Sequence, residues 1–490
     1  MPATPIVSGF HPDPSICRVG EDYYLVTSSF EYAPGVPILH SRDLVTWTQI
    51  GNVLDRDDQL DLGGSFGSSG IYAPTIRHHD DRFFMVTSNV GRYMDGHLIV
   101  SAEDPAGPWT TPVYTAGAVG IDPDLSWDAE GVCHLTWSAG SGATSIMQVQ
   151  VDPTTGQLLS EPKQIYGGDG FAHAEAPHLF HRNGWWYLLL AEGGTERGHM
   201  VTIARSRTMD GPFTANPANP LLTHRSTVEA VQNTGHADFV ENADGTWAAV
   251  YLGVRPRGMT PQFHVNGRET FLAGVDWLDD WPVIDEDRYS VPVDTTAFVD
   301  DFTSTPLHPR WVSPGVHPAE LLSATDGGMT IAASPRKPLS RPLVAVRTKH
   351  QQWRAGASFT SGTGRLTVRL DDDHWAASEL RDDTVDARVK IGPLEQIIAS
   401  IPRPGSSSIT LEVRAVTPHD GPWSPAPDRI ELGFQEDEDR FHVLATFDGR
   451  YLSTEVAAGF TGRVVGVEPV DGTSSTGPLQ LFSYGPVLGD

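Results

Sequence analysis

Cysteine and positive charge are scarce in this sequence, and long hydrophobic runs and helical periodicity are missing from it. The two cysteines, Cys17 and Cys133, sit inside apolar strand-like runs, which reads as two buried thiols and excludes a fold held by disulfides. Lysine and arginine together number 34 against 62 acidic residues, a formal charge of -28. Nucleic acid and anionic membrane surfaces are therefore not the expected partners, and a neutral substrate fits better. No run of roughly 18 apolar residues could span a bilayer. The opening Met1-Pro2-Ala3-Thr4-Pro5-Ile6 has neither the basic region nor the apolar stretch of a secretion signal, so the expected location is cytoplasmic.

What the sequence has in quantity is turn chemistry, with 49 glycines and 38 prolines in 490 residues, which favours an all-β protein. The turns belong to a repeat. Pro14 lies nine residues before Tyr23 of the strand-like Tyr23-Tyr24-Leu25-Val26-Thr27. Pro74 stands at the same distance before Phe83, Pro123 before Val132, and Pro177 before Trp186. A looser fifth copy places Asp238 nine residues before Trp247. Short polar turns such as Gly20-Glu21-Asp22 and Arg182-Asn183-Gly184 separate the paired segments, so each unit opens as a β-hairpin. The units recur at intervals of roughly fifty to sixty residues, a period near that of propeller blades.

The expected fold is a five-bladed β-propeller over residues 1–297, followed by a β-sandwich of jelly-roll, concanavalin-like type over residues 298–490. The second half carries short alternating runs, among them Leu366-Thr367-Val368-Arg369-Leu370 and Phe441-His442-Val443-Leu444-Ala445-Thr446, with turn signals at sandwich spacing. In a propeller the first strand of each blade lines the axis. The polar residues on those strands, Asp13, Asp122, Glu175 and His236, with Tyr72 from the second copy, should therefore converge in one cavity. The Gly/Ser-rich stretch from Gly63 to Gly70 precedes an axial strand and reads either as a loop over the mouth of the cavity or as a plain connector. A single Asp-Pro is commonly a turn cap, but three acids on three inner strands suit proton transfer. Two carboxyl groups facing across a cleft are the usual equipment for cleaving a glycosidic bond.

At this point the chain resembles the family 43 glycoside hydrolases, in particular the β-xylosidases and α-L-arabinofuranosidases that carry a C-terminal β-sandwich. The resemblance covers nearly the whole chain and rests on His11-Pro12-Asp13-Pro14, Ile121-Asp122-Pro123, Ala174-Glu175-Ala176-Pro177 and Gly267-Arg268-Glu269. It implies Asp13 as general base, Asp122 as the carboxylate that tunes the acid and orients substrate, and Glu175 as general acid. It further implies a guanidinium from Arg268 beside the acid and the sugar, His236 as the axial histidine, and apolar walls from Phe30, Tyr72, Ile121 and Phe171. Tyr72 departs from the Trp found in many xylosidase relatives. The sandwich is implied to pack on the propeller and lend a residue to the pocket mouth.

No cofactor is required on this reading, and none of the site residues is assigned as a metal ligand, although some relatives hold a calcium ion in the central channel near the histidine corresponding to His236. The expected partner is an oligosaccharide, with homo-oligomerisation left open. The expected activity is exo-acting, inverting release of terminal β-D-xylose or α-L-arabinofuranose. The alternative is a sugar-binding propeller without turnover, which the three axial acids disfavour. A retaining fructan hydrolase is a third reading, but no Trp-Met-Asn-Asp-Pro-type motif stands near the N-terminus.

Overall fold

The computed structural model describes residues 4–63, 66–139, 145–334, 341–406, 408–418, 423–436, 440–470 and 475–487. Five four-stranded antiparallel sheets follow one another along the first part of the chain, each with its strands in sequence order. Their first strands are Ser15–Val19, Thr75–His79, Ile121–Trp127, Glu175–Arg182 and Gln232–Glu241. The constant spacing in the sequence is the hairpin register of these blades. Ser15 stands opposite Val26, Thr75 opposite Val86, Asp124 opposite Thr136, His178 opposite Leu189 and Phe239 opposite Ala249. The ring closes through the N-terminal segment, where the Ile6 and Val7 amides donate to the Thr270 carbonyl of the fifth blade at 2.9 and 3.3 Å.

Apolar faces of neighbouring blades hold the ring together. Val26, Ile38, Ile76 and Met85 pack between the first and second blades, and Tyr187, Leu189, Phe239 and Trp247 between the fourth and fifth. At about 1.5–3 kcal/mol for each fully buried large apolar side chain, this packing outweighs the strain the inner strands carry near the axis. There Asp13, Asp122, Ala176 and His236 adopt φ of 56°, 54°, 52° and 49°, a left-handed conformation that costs on the order of 1–3 kcal/mol per residue. The pairing slips at the same places, between Ile121 and Asp124, between Glu175 and His178, and twice between Gln232 and Asp238. Such bulges bend a strand end and re-aim its side chains.

The rest of the described chain forms two facing sheets. One contains, in spatial order, Leu322–Thr325, Gly328–Ile331, Leu479–Pro486, Trp353–Phe359, Ile409–Val416, Arg429–Glu436 and Arg440–Asp448, with Phe298–Asp300 paired beside Leu479–Pro486. The other runs Val344–Arg347, Val464–Glu468, Gly364–Arg369, His374–Leu380, Thr384–Ile391 and Leu394–Pro402. Trp311, Trp353, Phe359 and Phe482 fill the core between them. Both cysteines are free and buried, as their apolar surroundings suggested. No helix among the described residues is long and apolar enough to cross a membrane.

The sandwich is fastened to the propeller at several points. Tyr32–Ala33 pairs with Ser313–Pro314, and the fully buried Arg369 donates to the Tyr32 hydroxyl at 2.7 Å. The tightest approach is between Gly267 and Gly462. A Cβ on Gly462 would lie 2.1 Å from the Asn266 carbonyl oxygen, and one on Gly267 would meet the Gly462 Cα at 2.9 Å. Only glycine lets the two backbones touch here, and the contact places residues 454–460 of the sandwich over the open end of the propeller axis.

Candidate active site

The strained ends of the inner strands open into a pocket of about 450 Å³. Asp13, Phe30, Tyr72, Ile121, Asp122, Glu175, His236 and Arg268 all line it, so eight of the nine residues singled out from the sequence meet there. Asp13 is 5% exposed and has both oxygens engaged. Oδ1 accepts from Arg268 Nη1 at 2.9 Å, and Oδ2 accepts from the Ser28 hydroxyl at 2.6 Å. His236 Nδ1 lies 3.5 Å from Oδ1. Burial alone would raise the Asp13 pKa, but Arg268, His236 and the Ser28 hydrogen bond outweigh it and hold the carboxyl below its ordinary value. Asp13 is thus held toward its ionised form.

The other two acids are shifted the opposite way. Glu175 is pushed up to about 7, first by burial and then by the charge of Asp13, with Arg268 pulling against both. Asp122 is raised well above the usual carboxylate range by burial, then by Glu175 and Asp13, while the Ala176 amide donates to its Oδ2 at 3.2 Å. One pocket therefore holds a carboxyl held toward its charged form and two neighbours that keep a proton to higher pH.

Phe171 is the exception to the sequence reading. It is half-buried in the chain before Glu175 and does not line the pocket; its backbone amide faces Glu192 instead. Gly168 and Gly170, at φ of 75° and 92°, turn that segment, so closeness in sequence to Glu175 does not carry Phe171 to the same wall. The missing wall comes from Phe460 of the sandwich. Its ring stacks 6.0 Å from Phe30 and lies edge-on 5.8 Å from Tyr72, and Arg268 sits over both phenylalanines at 5.4 and 5.7 Å. Its amide donates to Ser68 Oγ at 2.8 Å, which brings the Gly/Ser-rich loop to the mouth; residues 64 and 65 of that loop lie outside the described residues.

His173, Thr195, Glu196, His199 and His264 also line the pocket and were not foreseen. They come from connections between strands and carry no motif of their own. Thr195 Oγ1 accepts from Arg268 Nη1 at 3.0 Å, and His199 is pulled down to about 4 mainly by burial. His199 Nδ1 lies 3.0 Å from the Asn233 carbonyl, whereas its Nε2 is buried without a partner among the described residues.

Below the pocket all five inner strands meet on Arg77. Its Nη1 reaches Asp238 Oδ2 at 2.7 Å and Ser15 Oγ at 3.2 Å. Its Nη2 reaches Asp124 Oδ1 at 2.8 Å and His178 Nδ1 at 3.0 Å. This arrangement bears on calcium near His236, because calcium needs six to eight oxygen ligands. Asp124 and Asp238 are already committed to Arg77 and Asp13 to Arg268, and His236 is flanked by His178 and His199. Among the described residues no group of His, Cys, Asp or Glu is arranged to hold a metal ion, and the residues around His236 do not supply a calcium shell.

Comparison with known proteins gives the family. Residues 2–282 match Glycosyl hydrolases family 43, and residues 299–481 match the beta xylosidase C-terminal concanavalin A-like domain. The chain is 41% identical to a xylosidase/arabinosidase of Butyrivibrio fibrisolvens, covering 98% of each sequence. It is also 41% identical to a non-reducing end α-L-arabinofuranosidase of Bacteroides ovatus, over 97% of this chain and 93% of the other. The structure of a xylan β-1,4-xylosidase from Bacillus halodurans superposes with a TM-score of 0.86 at 28% identity, over 99% of this chain and 100% of that one. With both halves matched in order and the paired acids on the propeller axis, this chain belongs to glycosyl hydrolase family 43 and is a glycosidase with the C-terminal sandwich of the β-xylosidases.

Proposed function

We propose that the protein is an exo-acting, inverting hydrolase that removes terminal α-L-arabinofuranose or β-D-xylose from arabinose- or xylose-containing oligosaccharides. The observation that carries this reading is the opposed titration of Asp13 and Glu175 within one small pocket. Asp13 takes a proton from the attacking water, and Glu175 gives one to the departing glycosidic oxygen. Inversion needs space for that water, which corresponds to a carboxyl separation of roughly 6.5–9.5 Å. Asp122 steadies the acid through its backbone contact at Ala176 and its charge coupling to Glu175. Phe30, Tyr72 and Phe460 pack on the sugar's apolar edges, and Arg268, His199 and His236 meet its hydroxyls. Arg77 supplies the positive charge of the channel, so turnover should proceed without an added metal. A sugar-binding protein without turnover would have no use for an acid lifted toward neutrality.

Kinetics on a panel of aryl pentosides test the reading, with the anomer of the first product followed by NMR. The expected result is turnover of an α-L-arabinofuranoside or a β-D-xyloside with inversion; retention of configuration, or no turnover of any pentoside, would refute it. Phe460→Ala should raise KM roughly tenfold, the scale of losing apolar contact in a pocket, with a smaller change in kcat. Unchanged kinetics would remove the sandwich from the site.

Arg268 gives a test by pH. Activity should fall as pH rises through the Glu175 value of about 7, where the acid loses its proton. It should fall at the acid end as Asp13 becomes protonated. The Arg268 charge pulls both carboxyls down, so Arg268→Met should move both limbs of the kcat/KM profile to higher pH. It should also lower the maximum on the order of 10²-fold, as for loss of one charged stabilising group. A smaller maximum with unmoved limbs would leave Arg268 a binding role only.

A further inference from the structure

A second cavity, of about 520 Å³, lies between the N-terminal segment, the residues that link the two halves, and the sandwich. It shares no lining residue with the active-site pocket. In a chain of net charge -28 its lining is basic. Among the described residues, Arg310, Arg347 and Lys349 face it, with His11 and His308, against the single carboxylate of Asp294, whose Oδ1 already accepts the Thr296 amide at 2.8 Å.

The arginines here are short of acceptors. Arg347 is 5% exposed, yet its Nε and Nη2 are buried with no hydrogen-bond partner among the described residues. One face of its guanidinium is covered by the Phe10 ring at 4.5 Å, which leaves the N–H edge as the part able to bind. Arg310 repeats the arrangement, with Nε buried and unpartnered and the Phe298 ring 4.1 Å from its guanidinium carbon. A buried guanidinium without an acceptor is among the costliest things a fold can hold; Arg347 is one, whereas Arg310 is half-buried with Asp300 as its nearby opposite charge. Both arginines also act electrostatically on the half-buried Lys349. Burial, with Arg310 and Arg347, pushes Lys349 down against the pull of Asp294, and burial with Arg347 and Lys349 pushes His11 far below its ordinary value.

We propose that this interdomain cavity binds a phosphate group, free or carried as the monoester of a small metabolite. Two guanidinium edges and an ammonium present more donors than the two oxygens of one carboxylate can use, whereas a phosphate dianion offers three or four oxygens and the matching charge. The cavity is larger than a bare phosphate requires, and Ile6, Leu39 and Val291 on its remaining wall suit the body of an ester.

The test is calorimetric titration of the full chain in phosphate-free buffer with inorganic phosphate, with xylose 1-phosphate and with citrate, alongside thermal melts. One saturable site is expected for phosphate or the ester, with Kd below about 1 mM, and a melting temperature that rises with ligand concentration. Tighter binding of the ester identifies a metabolite, and equal binding identifies the free ion. Arg347→Met should abolish the heat and the melting shift while retaining pentoside turnover, because it lies outside the catalytic pocket. Lys349→Gln should weaken binding about tenfold, and it serves alone if Arg347→Met fails to fold. No binding of either phosphate, binding of citrate as tight as phosphate, or binding that survives in the variants would overturn the proposal.

Discussion

Asp13→Ala is expected to abolish turnover of activated and natural substrates alike, with a loss of at least ~10²-fold, the lower range for removing a general base. The attacking water must be deprotonated whatever group departs, so a better leaving group offers no escape. The structure adds a second consequence. Asp13 supplies part of the charge that lifts Glu175, and without it the Glu175 carboxyl should give up its proton at lower pH. The alkaline limb of any residual activity should therefore move down. Asp13→Asn separates chemistry from folding, since its carbonyl can still accept from Arg268 Nη1, which holds Oδ1 of the native carboxylate at 2.9 Å, while its NH2 donates to Ser28 Oγ, which in the native protein donates to Oδ2 at 2.6 Å. Far-UV circular dichroism should match the parent protein for Asp13→Asn, while activity remains lost. Near-normal hydrolysis of a dinitrophenyl pentoside by either variant would remove Asp13 from the role of base.

Glu175→Ala is the second large effect, and it should depend on the substrate. A disaccharide leaves as an alkoxide unless it is protonated, so loss of the acid should cost on the order of 10²–10⁴-fold. A dinitrophenolate is stable as an anion and needs no proton, so hydrolysis of that pentoside should fall little. The alkaline limb near pH 7, assigned to Glu175, should also disappear from the activated-substrate profile. Equal losses on both substrates would contradict the assignment, and the reverse pattern, with Asp13→Ala spared on the activated substrate, would exchange the two roles.

The legible parts of this protein are those written in local register. The nine-residue step from Pro14, Pro74, Pro123 and Pro177 to an apolar strand survives in the structure as antiparallel pairing from Ser15–Val26 through His178–Leu189. A hairpin is made by neighbours in the chain, so its residues can be read from the chain. Because each blade places the start of its first strand at the axis, the same register located Asp13, Asp122, Glu175 and His236 in one cavity without any knowledge of loops.

Tertiary structure decided the rest. Phe460 reaches the pocket through a contact with Ser68 that is 392 residues distant in sequence, and nothing beside either residue announces the meeting. Arg77 looks like an ordinary strand residue until ring closure brings Asp124, His178 and Asp238 around it. Phe171 stands four positions before Glu175 and still misses the pocket, because the glycines at 168 and 170 turn its segment. The sequence by itself determined the blades and the acids, since strand pairing and the alternation of side chains act over a few residues. The charge each acid carries, the aromatic wall from the sandwich and the basic interdomain cavity were decided only by the closed fold. Burial and Coulomb interaction depend on which distant groups are brought within a few ångströms and on how much water is left between them.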